Sequence, residues 1–153
     1  MELTDLISEE SVVASLHATS KKQALLELSV RAESLTGLPQ RQIYDAVTER
    51  ERLGSTGVGN GIAIPHAKLI GLKHLSGVFA RLTTPIDFDA IDEQPVDLIF
   101  LLLAPAGAGA DHLKALARVS RLLRNHTICE KLRGSHDASA MYVLLTEPIP
   151  HAA

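Results

Sequence analysis

Hydrophobic residues recur with a helical period in the first third of the chain. Apolar side chains lie three or four positions apart over residues 24–35 and again over residues 43–53, and this spacing predicts two helices. Ser20, with Gln23 three residues later, is typical of a helix start that uses a capping box. Gly37 is typical of the residue that ends a helix. The charged run at residues 49–52 is typical of a solvated helix face.

The period changes further along the chain, where the apolar runs become short and continuous. The run at 12–16 predicts an edge strand, and the run at 62–64 predicts a short strand that ends at His66. Residues 77–82 and 96–103 are almost entirely apolar, which is typical of central strands covered on both faces.

Helical spacing returns after the second long apolar run. A third helix is predicted to open at Asp111 or a nearby glycine, and two shorter helices follow at 127–132 and 138–145. Pro148 and Pro150 predict a frayed tail from about residue 147. Helices that precede and follow a group of strands predict an α/β fold, a single-domain sandwich over residues 1–153 with a mixed sheet.

Composition excludes several classes of protein. The chain has 153 residues and a net charge of -3, so it lacks the basic charge of a nucleic-acid-binding protein. A single cysteine excludes an internal disulfide. No apolar run is long enough to span a membrane and the acidic N-terminus is unlike a signal peptide, so we expect a soluble, cytoplasmic protein with no membrane insertion.

The candidate chemistry centres on His66. Pro65 disfavours helical backbone before it and fixes its own φ, which restricts the directions that the imidazole can take. Neutral imidazole is a nucleophile near pH 7 and forms covalent intermediates, of which a phosphoryl adduct is one. Either ring nitrogen can be the acceptor.

Residues near His66 in the sequence are suited to an anionic group. The hydroxyls of Ser55 and Thr56, in a loop with four glycines, can bond phosphoryl oxygens, and Arg50 can supply a planar, permanently charged group. His112 lies in the first turn of the third predicted helix, where backbone N–H groups favour a neutral imidazole. It can donate a hydrogen bond to the phosphoryl group or simply cap the helix.

Other interpretations of these residues are open. His66 can be a buried structural histidine in a protein with a scaffold role. A metal-dependent hydrolase could use His66, His112 and a carboxylate such as Asp111, although no ligand pair has metalloprotease spacing. The glycines of residues 57–61 do not match a dinucleotide-binding fingerprint, and no cofactor is expected.

The motif Glu51 to His66, ending in GNGIAIPHA, resembles the active-site signature of a known family. That family is the enzyme IIA domain of the fructose/mannitol type (type 2) in the bacterial phosphoenolpyruvate-dependent phosphotransferase system. Arg50 and the segment DHLKALARVSRLL are also similar, so the resemblance covers the whole chain. The segment GSTGVGNGIAIPHA, with Ala67 in place of a common glycine, is most similar to the nitrogen-regulatory branch.

This resemblance implies a mixed, mostly five-stranded sheet flanked by helices on both faces. It implies that His66 is phosphorylated, that Arg50 contacts the phosphohistidine and that His112 is the second active-site histidine. The donor would be a histidine phosphocarrier protein, and the regulated partners would be proteins such as potassium transporters or sensor kinases. The alternative within the family is a sugar-specific component that passes phosphate to a fructose or mannitol IIB domain.

Overall fold

A mixed β-sheet with helices on both faces makes up the fold of residues 1–147, the part of the chain that the computed structural model describes. The strands are β1 (Val12–Leu16), β2 (Gly57–Gly59), β3 (Ile62–Ala63), β4 (His66–Leu69), β5 (Ser76–Ile86) and β6 (Val96–Pro105). The helices are α1 (Lys21–Thr36), α2 (Gln40–Arg52), α3 (Ala110–Leu123), α4 (His126–Arg133) and α5 (Ala138–Thr146). The predicted α/β class is confirmed, whereas the predicted fraying concerns mainly residues 148–153, which lie outside the described residues.

The sheet has the order β1-β5-β6-β3-β2, and β4 also pairs with β6. Strands β5 and β6 are antiparallel, while β1 runs parallel to β5. Both β3 and β4 run parallel to β6, so they occupy one position in the sheet and the six strands fill five positions. The edge position of β1 and the central positions of β5 and β6 agree with the predictions from the apolar runs.

The strand before His66 differs from its prediction. It was expected to end at His66, but the chain leaves the ladder at Ile64 and Pro65, and His66 begins β4 instead. Proline has no N–H to donate, yet the Pro65 carbonyl accepts a hydrogen bond from the Leu102 N–H at 2.9 Å. Pairing with β6 therefore resumes at once and carries His66 into the sheet.

Two hydrophobic layers enclose the sheet. Every residue of β6 from Leu98 to Leu103 is almost completely buried. Within this stretch, the even-numbered residues (98, 100 and 102) pack with α3, α4 and α5, and the odd-numbered residues (99, 101 and 103) pack with α1 and α2. This alternation is the geometry of a strand that is buried on both faces. None of the helices within residues 1–147 is long and apolar enough to cross a membrane.

The ends of α1 follow their sequence signals with one difference. The Ser20 side chain accepts a hydrogen bond from the Gln23 N–H at 3.1 Å, and Gly37 has the left-handed φ of 79° that favours glycine. The Gln23 side chain, however, accepts from the backbone N–H and the hydroxyl of Thr19, not from the backbone of Ser20.

Candidate active site

His66 is held by its own backbone neighbourhood. Its Nδ1 lies 2.9 Å from the carbonyl oxygen of Ile64 and the side chain is partly exposed. A carbonyl oxygen can only accept, so Nδ1 must carry the proton. The neutral ring then has its lone pair on Nε2. Ile64 and Pro65 leave the sheet, and this places the Ile64 carbonyl beside the ring. The backbone just before His66 therefore determines its tautomer.

His112, on α3, lies beside His66, the first residue of β4. It is the third residue of α3, in the first turn as predicted, and only 8% of it is exposed. The ring centroids of His112 and His66 are 5.5 Å apart, with planes at 68° in an edge-to-face arrangement. Within residues 1–147, Nε2 of His112 is buried and has no hydrogen-bond partner. An unsatisfied polar atom beside a nucleophile is available to a bound group.

The pKa of His112 reflects this environment. Burial, followed by the charges of His66 and Lys68, lowers the pKa of the imidazole from its ordinary value of 6.5. His112 is therefore neutral at pH 7 and does not add positive charge to the pair. Lys68 was not singled out from the sequence. It is exposed two residues after His66, and the two-residue period of β4 places both side chains on the same face of the sheet.

Arg50 lies in the last turn of α2, a helix that packs against β4. Its Nη1 donates a hydrogen bond to the carbonyl oxygen of Gly54 at 3.0 Å. No hydrogen bond joins Arg50 to His66 within residues 1–147. The structure thus places Arg50 at the start of the glycine loop, with the other N–H groups of its guanidinium free of hydrogen bonds to described residues.

The two loop hydroxyls already donate to acceptors in the protein. The Ser55 hydroxyl donates to the Phe88 carbonyl at 2.8 Å and accepts from the Gly57 N–H at 3.0 Å. The Thr56 hydroxyl donates to the Glu51 carboxylate at 2.5 Å, and Thr56 is buried. Both side chains therefore hold the shape of the loop, and residues 57–59 of this loop form strand β2.

Glu51 is the residue near the site whose role the sequence interpretation missed. It is 8% exposed, although residues 49–52 were interpreted as a solvated helix face. Its carboxylate accepts hydrogen bonds from the backbone N–H and hydroxyl of Thr56 and pairs with Lys21 Nζ at 2.9 Å. The signal was present in the spacing, since Ile43, Val47 and Glu51 lie four residues apart and form the buried stripe of α2.

The metal-site interpretation finds no ligand set in this part of the chain. No group of three histidine, cysteine or carboxylate side chains within residues 1–147 converges in a way that could hold a metal ion. His66 and His112 instead form a pair that combines a nucleophilic nitrogen with a neutral hydrogen-bonding group.

The chain is similar to proteins of one known family. The family model described as phosphoenolpyruvate-dependent sugar phosphotransferase system, EIIA 2, matches residues 5–147. A nitrogen regulatory protein of Bradyrhizobium diazoefficiens is 55% identical over 153 residues and is covered completely, as is this chain. A nitrogen regulatory protein of Escherichia coli is 43% identical over 148 residues, which are 96% of this chain and 91% of that one.

A solved structure gives the same result in three dimensions. The crystal structure of nitrogen regulatory protein IIA-Ntr from Neisseria meningitidis has a TM-score of 0.89 and 33% sequence identity, over 94% of this chain and 99% of that one. The resemblance inferred from the GNGIAIPHA motif is confirmed. With a matching family model, full-length relatives and a shared fold, the chain belongs to the EIIA 2 family of the phosphoenolpyruvate-dependent sugar phosphotransferase system.

Proposed function

We propose that this chain, acting as a single enzyme IIA domain, accepts a phosphoryl group on Nε2 of His66 and regulates other proteins according to its phosphorylation state. The donor is a histidine phosphocarrier protein. The observation that carries the proposal is the contact of 2.9 Å between Nδ1 of His66 and the Ile64 carbonyl, since it leaves Nε2 with the lone pair. Family membership and the nitrogen regulatory relatives support the same function.

In the transfer step, the Nε2 lone pair of His66 attacks the phosphorus atom of the donor phosphohistidine. A new N–P bond forms, the N–P bond of the donor breaks, and the donor nitrogen keeps the electron pair. The proton on Nδ1 of His66 stays in its hydrogen bond to Ile64. The carbonyl dipole of Ile64 then stabilises the positive charge that develops on the ring as the new bond forms.

His112 and Arg50 are assigned to the phosphoryl oxygens. His112 is neutral and its Nε2 has no hydrogen-bond partner among residues 1–147, so with the proton on that nitrogen it can donate to an oxygen of the group on His66. Arg50 uses one N–H for Gly54 and retains others for the phosphoryl charge. A single arginine stabilises the adduct without binding the phosphoryl group so tightly that it cannot be passed on.

Ser55 and Thr56 are assigned to positioning. Their hydroxyls are bonded to Phe88 and Glu51, so in this proposal they fix the loop and do not bind the phosphoryl group themselves. The two negative charges of a phosphoryl group on His66 change the local field at one partly exposed patch, and this change distinguishes the two forms for a partner. The regulated partners are proteins such as potassium transporters or sensor kinases.

A reconstituted transfer reaction tests the proposal. The full chain is incubated with phosphoenolpyruvate, enzyme I and a carrier protein, and acid-labile phosphate is located by mass spectrometry. We expect phosphate on His66, none on His66→Ala, and the wild-type level on His74→Ala, which removes an exposed histidine elsewhere. Wild-type phosphorylation of His66→Ala would contradict the proposal. Rapid donation from the phosphorylated chain to a fructose or mannitol IIB domain would favour the sugar-specific alternative.

A further inference from the structure

A cavity of about 530 Å³ lies between the segment just before His66 and helices α3 and α4. One wall comes from residues 58–64 of β2 and β3 and the segment after them, and the other comes from the end of α3 and from α4. Its volume is within the range of about 300–1,000 Å³ that is typical of small-molecule sites. His66 does not line it, so this space is separate from the position of the phosphoryl group.

The charge that lines the cavity is positive. Arg124 and Arg133 contribute guanidinium groups to the lining, and no carboxylate among residues 1–147 does so. Arg133 is paired with Asp97 through Nε at 2.9 Å, whereas the exposed side chain of Arg124 makes no hydrogen bond or ion pair with any residue among 1–147. The guanidinium of Arg124 is therefore an uncompensated cation beside the cavity and is available to an anionic group.

Part of the cavity surface is apolar. The aliphatic side chains of Ile62, Ile64 and Leu123 line it, and Cys129 is also part of the lining although only 2% of it is exposed. The Cys129 thiol donates to the Leu123 carbonyl at 3.2 Å, and burial raises its pKa above the ordinary value of 9.0. The thiol is consequently uncharged at pH 7 and does not repel an anion.

Ile64 connects the cavity to the reactive ring. Its side chain lines the cavity, and its carbonyl oxygen accepts the hydrogen bond from Nδ1 of His66. A molecule that presses on the Ile64 side chain acts on the residue that orients the imidazole.

We propose that this cavity binds a small organic anion with an aliphatic body, its anionic head at Arg124 and its body against Ile62 and Ile64. Occupancy then shifts Ile64 and alters the environment of the His66 ring. Binding itself does not depend on phosphotransfer. Only the consequence for regulation rests on the proposed function.

Nuclear magnetic resonance on the isotopically labelled full chain tests this inference without a phosphoryl donor. The probes are octanoate, octanol, and inorganic phosphate, which separate the contributions of head and body. We expect saturable amide shifts around the cavity and a shift of the His66 ring with octanoate, and binding at least fivefold weaker for octanol and for phosphate. Because no transfer reaction is involved, failure of this test and failure of phosphorylation are distinguishable.

Three variants locate the site. Arg124→Ala should weaken octanoate binding by about fivefold. Solvent weakens the contact between an exposed guanidinium and a carboxylate, but the contact still contributes to affinity. Arg121→Ala removes an exposed arginine in the last turn of α3, outside the lining, and should bind as the wild type does. Ser120→Leu fills part of the cavity without changing charge and should abolish binding, and the spectrum of the free variant checks that it is folded.

The inference would be overturned by octanol binding as tightly as octanoate, or by phosphate doing so. It would also be overturned by undiminished octanoate binding to Arg124→Ala, or by shifts that spread over surfaces away from the cavity. A shift of the cavity amides with no change at His66 would overturn the connection through Ile64.

Discussion

Replacement of Glu51 by alanine should destabilise the protein and disturb the loop beside His66. The substitution removes the partner of Lys21 and the acceptor of both Thr56 hydrogen bonds. Breaking a buried ion pair costs about 3–5 kcal/mol. Lys21 keeps 20% of its side chain exposed and has Asp89 at 3.9 Å, so part of this cost is recovered and we expect a loss of about 2–3 kcal/mol.

Two further variants separate the causes of this loss. Glu51→Gln loses the charge and one of the two acceptor oxygens, while the remaining oxygen still accepts from Thr56, so its free energy of unfolding should fall by about 1–2 kcal/mol, less than in Glu51→Ala. Glu49→Ala removes an exposed carboxylate from the same helix, paired with Arg52, and should change the free energy of unfolding by at most about 0.5 kcal/mol.

Urea denaturation followed by circular dichroism measures these differences. For a protein of this size, a loss of about 2–3 kcal/mol lowers the melting temperature by about 4–12 °C. Glu51→Ala should also be phosphorylated more slowly than Glu49→Ala, because the loop that follows α2 loses its anchor. Equal unfolding free energies for Glu51→Ala and Glu49→Ala would refute the assignment of Glu51 as the buried anchor of the loop.

Two other substitutions give measurable changes in stability. The pKa of His112 in the folded protein lies below 6.5, so as the pH falls the unfolded chain binds a proton at this histidine before the folded chain does. The stability that neutral His112 contributes is therefore complete above about pH 6.5 and is lost as the pH falls below it. The unfolding free energy of His112→Gln should fall less between about pH 7 and pH 5 than that of the wild type, and parallel profiles would exclude this linkage. Gly77→Ala would place a Cβ 2.6 Å from the Phe100 ring and should cost about 1–3 kcal/mol in urea denaturation, whereas Gly107→Ala meets nothing within 4 Å and serves as the control. Equal stability of these two alanine variants would contradict the packing argument.

The fold was predictable from the sequence wherever one strand or helix carries its own signal. The apolar run of residues 96–103 fixes β6 as a strand buried on both faces, and Ser20 and Gly37 mark the ends of α1. The break at Pro65 was not predictable in the same way. Whether the chain rejoins the sheet after a proline depends on the partner strand, and here the Leu102 N–H of β6 pairs with the Pro65 carbonyl.

The two candidate histidines could be identified from the sequence, whereas the residues that hold the neighbouring loop were harder to predict. His66 and His112 were identified from motif and helix position, and the structure brings their rings to 5.5 Å. Glu51 was missed because the composition of the charged run 49–52 does not show which of its side chains faces the core. Only the helical spacing from Ile43 and Val47 places Glu51 on the buried side of α2. Leu53, an apolar residue of the predicted stripe, follows the last residue of α2 and is 83% exposed. The partner of Ser55, the Phe88 carbonyl, lies 33 residues away in sequence and has no local signal, whereas Thr56 bonds Glu51, which is five residues before it.

The nitrogen that carries the phosphoryl group is the most direct test of this account. Nitrogen resonances of the phosphorylated protein, labelled at histidine, distinguish the two ring positions. The hydrogen bond from Nδ1 of His66 to Ile64 predicts the phosphoryl group on Nε2, with the proton retained on Nδ1. A phosphoryl group on Nδ1, or on any residue other than His66, would contradict the account.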